Sequence, residues 1–299
     1  MRTLSRRKAE GMDGISAEFL ISLRGEVKEK FVELCQLIYK DEAWPKDFLQ
    51  SVMIPIEKKN VVRCEGFRTI SQISLASKVV LRILAKRIKS KSEEFLGKDQ
   101  FGFRSGRGTR DAVGVMRCLS ERSIEFNQDL YVCFIDYEKA FDRVNWRKLM
   151  EILQNIGVDW RDRRLIATLY MSQTAAVRLN YELTEPSEVG RGVRQGCLIS
   201  PTLFNIYAEA MIKEALDDLK EGICVGGELV QSVRYANDQT MTANTAKGLQ
   251  KILGEANKVV KKYGMKIKIK KTKVIENWKK TQYYKVNCGW RNTATGGRI

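Results

Sequence analysis

Residues 130–135, Leu-Tyr-Val-Cys-Phe-Ile, form an unbroken apolar run of strand length that stops abruptly at Asp136. A strand with one wet face would alternate, so this run predicts a strand buried on both sides. Such burial needs layers of chain over both faces of a sheet. With 299 residues there is enough chain for that, as one large domain or two subdomains. A carboxylate is seldom placed beside such a run unless it is paired or coordinates a metal.

Helical periodicity dominates the first third. Phe31, Leu34, Cys35 and Ile38 recur at helical spacing until Pro45 breaks the pattern, and 48–56 reads as a strand. A helix is expected over 75–88, with Val79, Val80, Ile83 and Leu84 inward and Lys78, Arg82, Lys86 and Arg87 outward. Helices follow at 149–156, closed by Gly157, and at 162–171. Pro201 is suited to start a long amphipathic helix. Two hairpins are expected in 223–243, one turning at Gly226-Gly227 and one at Ala236-Asn237-Asp238. A helix over 249–263 ends at Gly264, and 265–271 alternates as a half-buried strand with Met265, Ile267 and Ile269 inward. The fold class is α+β, an antiparallel sheet backed by helices behind a helical, basic first part.

Charge narrows the partners. The chain has 53 Lys+Arg against 36 Asp+Glu, a formal net charge of +17, which favours a polyanion, nucleic acid before an acidic membrane surface. The lysine and arginine face of 78–87, the Gly/Arg loop 101–110 and the lysines of 266–273 are expected to border one groove along a phosphate backbone. No apolar run is long enough to span a membrane, and no apolar segment follows the basic N-terminus as a secretory signal requires. Seven scattered cysteines without a Cys-x-x-Cys pair suit free thiols in a reducing intracellular compartment. The absence of histidine excludes His-based triads, His proton shuttles and most zinc sites.

Carboxylates are therefore the first candidates for chemistry. Asp136 ends one apolar strand and Asp238 lies at the tip of a hairpin; if the strands are neighbours, the two converge at one sheet edge. A cluster of oxygen donors suits a hard ion such as Mg²⁺. Two such ions about 4 Å apart stabilise the attacking and leaving oxygens of a phosphoryl transfer.

Three stretches carry a resemblance. FIDYEKAFDRV (134–144), GVRQGCLISPTLFNIY (192–207) and RYANDQ (234–239) resemble successive blocks of reverse transcriptases, in the wording of non-LTR, LINE-type retrotransposons. GMDGI, FLQSVMIPIEKK, FRTISQISLASKVVLRIL, DQFGFRSGRGTRDAV and YGMKIKIKKTK match the flanking blocks in order, so the likeness covers about residues 10–275. It implies a right-hand polymerase, with about 10–129 mainly fingers and about 130–275 mainly palm. It further implies an RNA-directed DNA polymerase that uses two Mg²⁺ ions, dNTPs, an RNA template and a DNA primer.

Residue by residue, the resemblance makes Asp136 and Asp238 metal ligands, with the Asp136 backbone carbonyl assisting. Phe141 becomes the steric gate against a ribose 2′-hydroxyl, Arg68 a triphosphate ligand, and Gln195 and Gly196 nucleotide contacts. Lys271 is placed near the leaving pyrophosphate. Asp142 is either part of this block or a cap of the following helix.

Two departures stand out. The family hairpin reads Tyr-Ala-Asp-Asp, whereas this chain has Asn237 at the position of a principal metal ligand. A neutral carbonyl replaces a charged donor there, so ion binding is expected to be weakened. After about residue 275 the sequence no longer follows the family, and residues 276–299 read as a divergent tail where a thumb is expected. The copy is thus expected to be impaired or inactive, the alternative being a relic that at most binds nucleic acid. RNA synthesis from an RNA template is disfavoured by the bulk of Phe141.

Overall fold

The computed structural model describes residues 4–57, 66–180 and 182–276. The expected divergent tail lies almost wholly outside them. Along the chain run α1 (Ala17–Ser22), α2 (Gly25–Asp41), α3 (Lys46–Leu49), β1 (Gln50–Glu57), β2 (Phe67–Ile73), α4 (Ser77–Phe95) and α5 (Thr109–Glu125). Then come β3 (Tyr131–Ile135), α6 (Trp146–Asn155), α7 (Trp160–Met171), β4 (Thr174–Leu179), β5 (Glu182–Leu183) and β6 (Ser187–Glu188). The last elements are α8 (Ser200–Leu216), β7 (Ile223–Val225), β8 (Glu228–Val230), β9 (Ser232–Tyr235), β10 (Asp238–Ala243), α9 (Ala246–Lys262) and β11 (Lys273–Glu276). No helix among the described residues is long and apolar enough to cross a membrane.

The chain divides into two compact units, one of residues 1–94 with 144–203 and one of 95–143 with 204–299. In the first, β1 pairs antiparallel with β2 and parallel with β4, and β5 and β6 both pair with β4. Helix α4 buries Val80, Leu81, Leu84 and Ile88. Its inward stripe is therefore turned from the expected one, and Ile83 is 50% exposed. The reason is the spacing itself: 77, 80, 81, 84, 88 and 92 keep to one helical face, which 83 leaves. On the outer side Arg87 pairs with the buried Asp162 at 2.8 Å and stacks on Tyr39.

The second unit carries a four-stranded sheet in the order β11-β3-β10-β9, with every pairing antiparallel. The apolar run is β3, inside the sheet, with Val132 and Cys133 fully buried. Burial on both faces is incomplete, since Phe134 is 38% exposed. Helix α9 packs on β10 and β3, seating Leu249, Ile252, Leu253 and Val260. Each such side chain contributes roughly 1.5–3 kcal/mol by leaving water. Thr245 caps α9 through Gly248 N, and Gly264 at φ +68° lets the chain turn out of it.

The expected strand over 265–271 is not formed. Ile267 makes a single bridge to Tyr137, Ile269–Lys271 is a 3₁₀ turn, and pairing resumes only in β11. Met265 and Ile267 are buried as the alternation implied, but Ile269 is 43% exposed because the turn rotates it outward.

Candidate active site

Strand β10 runs antiparallel to β3 with Gln239 opposite Ile135, so the next positions along each strand, Asp238 and Asp136, face each other. Both carboxylates thus reach the same end of the sheet. From the other flank Lys271 approaches, its Nζ 3.7 Å from Asp136 Oδ2. Although Asp238 is exposed as a residue, packing around its carboxyl and the Asp136 charge beside it hold its pKa above the ordinary aspartate value, with Lys271 acting in the opposite sense.

The lysine-bearing segment is laced onto the end of β3. Lys268 N donates to the Asp136 carbonyl at 2.7 Å and Glu138 N donates to the Lys266 carbonyl at 2.8 Å. The Asp136 carbonyl, expected to assist a metal, thus already accepts a backbone bond. Glu138 pairs with Lys266 at 2.9 Å and Arg143 at 3.0 Å, and these partners hold its carboxyl below the usual range. Between Asp136 and Glu138, Tyr137 is buried, and its hydroxyl donates to Gln239 Oε1 at 2.7 Å.

The opposing hairpin turns through two residues, because Tyr235 pairs directly with Asp238. Ala236 takes φ +56°, a region that favours glycine. Asn237 Nδ2 lies 3.5 Å from Asp238 Oδ1. Beneath the turn, Arg234 is 1% exposed and forms ion pairs with Asp99 and with Glu209, the latter at 3.0 Å. Burial disfavours each of these charges, and the pairing outweighs it: Arg234 is held above its ordinary pKa and Asp99 below.

Asp136 and Asp238 are the two carboxylates that this sheet end offers to a cation. Among the described residues no third Asp, Glu, Cys or His joins them, so a two-ion site lacks a carboxylate.

Phe141 stacks on Phe204, centroids 4.7 Å apart and planes 10° from parallel, and meets Phe103 edge-on at 6.4 Å. This offset-and-edge packing fixes the ring orientation. Asp142 does not cap the following helix. Asn145 does, accepting from Lys148 N at 3.1 Å, while Asp142 sits in a 3₁₀ turn.

The other three expected residues gather in the first unit. Arg68 is exposed on β2, next to Ile70 on the same face. Ser71 N donates to the Gln195 carbonyl at 2.8 Å, which binds the Gln195–Gly196 loop to that strand. Gly196 has φ +98°, and a Cβ there would lie 3.1 Å from Ser71 O. Arg194 next door is buried, its guanidinium spent on Gln173 and on the Phe48 and Leu49 carbonyls. In the Gly/Arg loop, Arg104 donates to the Gly97 and Gln100 carbonyls and Arg107 to the Lys98 carbonyl, all in the segment just before the loop.

Sequence reading missed the buried network of Arg234, Asp99 and Glu209. A signal existed: Glu209 interrupts the apolar run of α8 and Arg234 lies inside a strand pattern, and opposite charges on two inward faces have to pair.

Comparison with known proteins identifies the family. A family model described as reverse transcriptase (RNA-dependent DNA polymerase) matches residues 56–287. A Pol polyprotein from the type-1 retrotransposable element R2 of Nasonia vitripennis is 27% identical over 88% of this chain and 25% of its own length. The RNA-directed DNA polymerase from mobile element jockey of Drosophila funebris is 23% identical over 84% of this chain and 28% of its own. The transposon TX1 149 kDa protein of Xenopus laevis is 29% identical over 71% of this chain and 16% of its own, so the chain spans between 16% and 28% of the length of these three relatives. In three dimensions the apo telomerase of Candida tropicalis superposes with a TM-score of 0.58 over 84% of this chain and 56% of that one, at 15% identity. The chain belongs to the reverse transcriptase family, as an RNA-directed DNA polymerase domain of the non-LTR retrotransposon type with an α+β fingers-and-palm fold.

Proposed function

We propose that this domain copies an RNA template into DNA by adding dNTPs to a primer 3′-hydroxyl, and that Asn237 lowers its rate. The observation that carries the reading is the meeting of Asp136, Asp238 and Lys271 at one sheet end. About 10–129 would serve mainly as fingers and about 130–275 mainly as palm. A neighbour of the same fold is a telomerase bound to a fragment of telomeric RNA, which supports a nucleic-acid partner for this +17 chain.

Reverse transcriptases generally use divalent metal ions. Asp136 and Asp238 would hold such an ion here, and it would supply positive charge where phosphoryl oxygens gain negative charge. Lys271 would offset charge on the departing pyrophosphate. Phe141, its ring fixed by Phe204, would exclude a 2′-hydroxyl by volume. Arg68 would grip the triphosphate with its planar fork, and Gln195 and Gly196 would bring backbone close to the nucleotide.

A second reading is favoured by one feature: with Asn237 at the turn, no third carboxylate joins Asp136 and Asp238 among the described residues. On that reading the chain binds nucleic acid without polymerising. Primer extension on an RNA template, with dNTPs or NTPs and with or without Mg²⁺, separates the two. Mg²⁺-dependent extension with dNTPs alone supports polymerisation; salt-sensitive binding without extension supports the relic.

A further inference from the structure

Gln100 is fully buried, and its amide oxygen accepts two backbone bonds, from Gly102 N at 2.9 Å and from Ala236 N at 3.1 Å. The second is unusual. In a two-residue hairpin the flanking residues pair with each other, so the first turn amide has no partner in the ladder and ordinarily faces water. Here that amide belongs to Ala236, which is 4% exposed and held at φ +56°.

The backbone on both sides of Gln100 is drawn against the hairpin. Phe101 N donates to the Arg234 carbonyl and Arg234 N to the Asp99 carbonyl, both at 2.8 Å, so residues 99–101 run along β9 as an extra strand-like segment. Gly102 lies so close to the turn that a Cβ would fall 2.2 Å from Ala236 N. Asn205, buried on α8, fixes Gly102 through a 2.7 Å bond to its carbonyl.

We infer that Gln100 is a positioning residue for the catalytic turn: it clamps the Ala236 amide, keeps Ala236 at its positive φ, and so sets where Asn237 and Asp238 project. The clamp itself is independent of the proposed function; its consequence for ion binding rests on that reading.

The test has two arms. Amide hydrogen exchange by NMR in the native chain should show Ala236 and Gly102 protected by roughly 100-fold or more over unprotected amides. Gln100→Met should abolish protection at both while sparing Met241 within β10. In the second arm, Mn²⁺ affinity is measured by electron paramagnetic resonance in the native chain and with Asn237→Asp. Gln100→Met should weaken it about tenfold, as loss of an outer support of a ligand does. Adding Ala236→Gly should recover part of the loss, since glycine adopts a positive φ without steric cost; a merely structural role for Gln100 would not be rescued this way.

A freely exchanging Ala236 amide in the native chain overturns the clamp, whether or not Gln100→Met folds. Lost protection with unchanged Mn²⁺ affinity overturns the positioning role. Absence of Mn²⁺ binding in every variant overturns the ion-site reading, and the exchange arm still decides the clamp.

Discussion

Asp136 and Asp238 face each other one step beyond the Ile135–Gln239 pair of adjacent antiparallel strands. That relationship places two negative charges at one sheet end, with the Lys271 ammonium 3.7 Å from Asp136 Oδ2. The electrostatic consequences can be measured without any substrate.

The raised pKa of Asp238 gives a pH dependence with a definite sign. In the ion-free protein the folded state holds this proton more tightly than the unfolded state, whose reference value is 3.8. The native state then binds more protons between the two pKa values, so stability falls as pH rises from the reference value through the folded one. Asp238→Asn removes that slope. Thermal melts from pH 3 to 7 without divalent ions should show the variant matching the native chain at pH 3 and exceeding it at pH 7. Mg²⁺ at pH 7 should narrow the gap by stabilising only the native chain.

Arg234→Met is expected to destabilise the fold by about 3–5 kcal/mol, because it strands Glu209, 1% exposed, and leaves Asp99 without its partner. Urea unfolding measures this. Changing Arg117 to Met, whose partner Glu121 is exposed, should leave the unfolding midpoint almost unchanged in the same assay.

How far these features could be read in advance varies with how local their causes are. Strand β3 and the 235–238 hairpin were legible because an unbroken apolar run and short polar turn residues are local signals. The 265–271 segment was misread because alternation reports which side chains are apolar. It does not report that the backbone leaves the sheet after one bridge at Ile267. Arg68, Gln195 and Gly196 came only from the resemblance, since nothing local says that Ser71 binds the Gln195 carbonyl across more than a hundred residues. The clamp of Gln100 on Ala236 is likewise a long-range contact without a sequence period.

Phe141→Ala should lower the preference for dNTPs over NTPs by about tenfold or more, as opening a pocket by several methylenes does. Phe204→Leu removes the stacked face behind that ring. It should give part of the same loss together with about 0.5–1.5 kcal/mol of stability beyond its area term. Competitive single-nucleotide incorporation measures both, in the Asn237→Asp chain if the native rate is too low.

Asn237→Asp should raise polymerase output by up to roughly a thousandfold, the scale of about 4 kcal/mol of transition-state stabilisation. Calorimetric titration of Mg²⁺ and Mn²⁺ into the native chain, Asn237→Asp and Asp136→Asn tests the site with no template or primer present. The expected result is at least about tenfold tighter binding in Asn237→Asp than in the native chain and binding lost in Asp136→Asn. Equal affinities in all three would show that Asp136, Asn237 and Asp238 do not form an ion site.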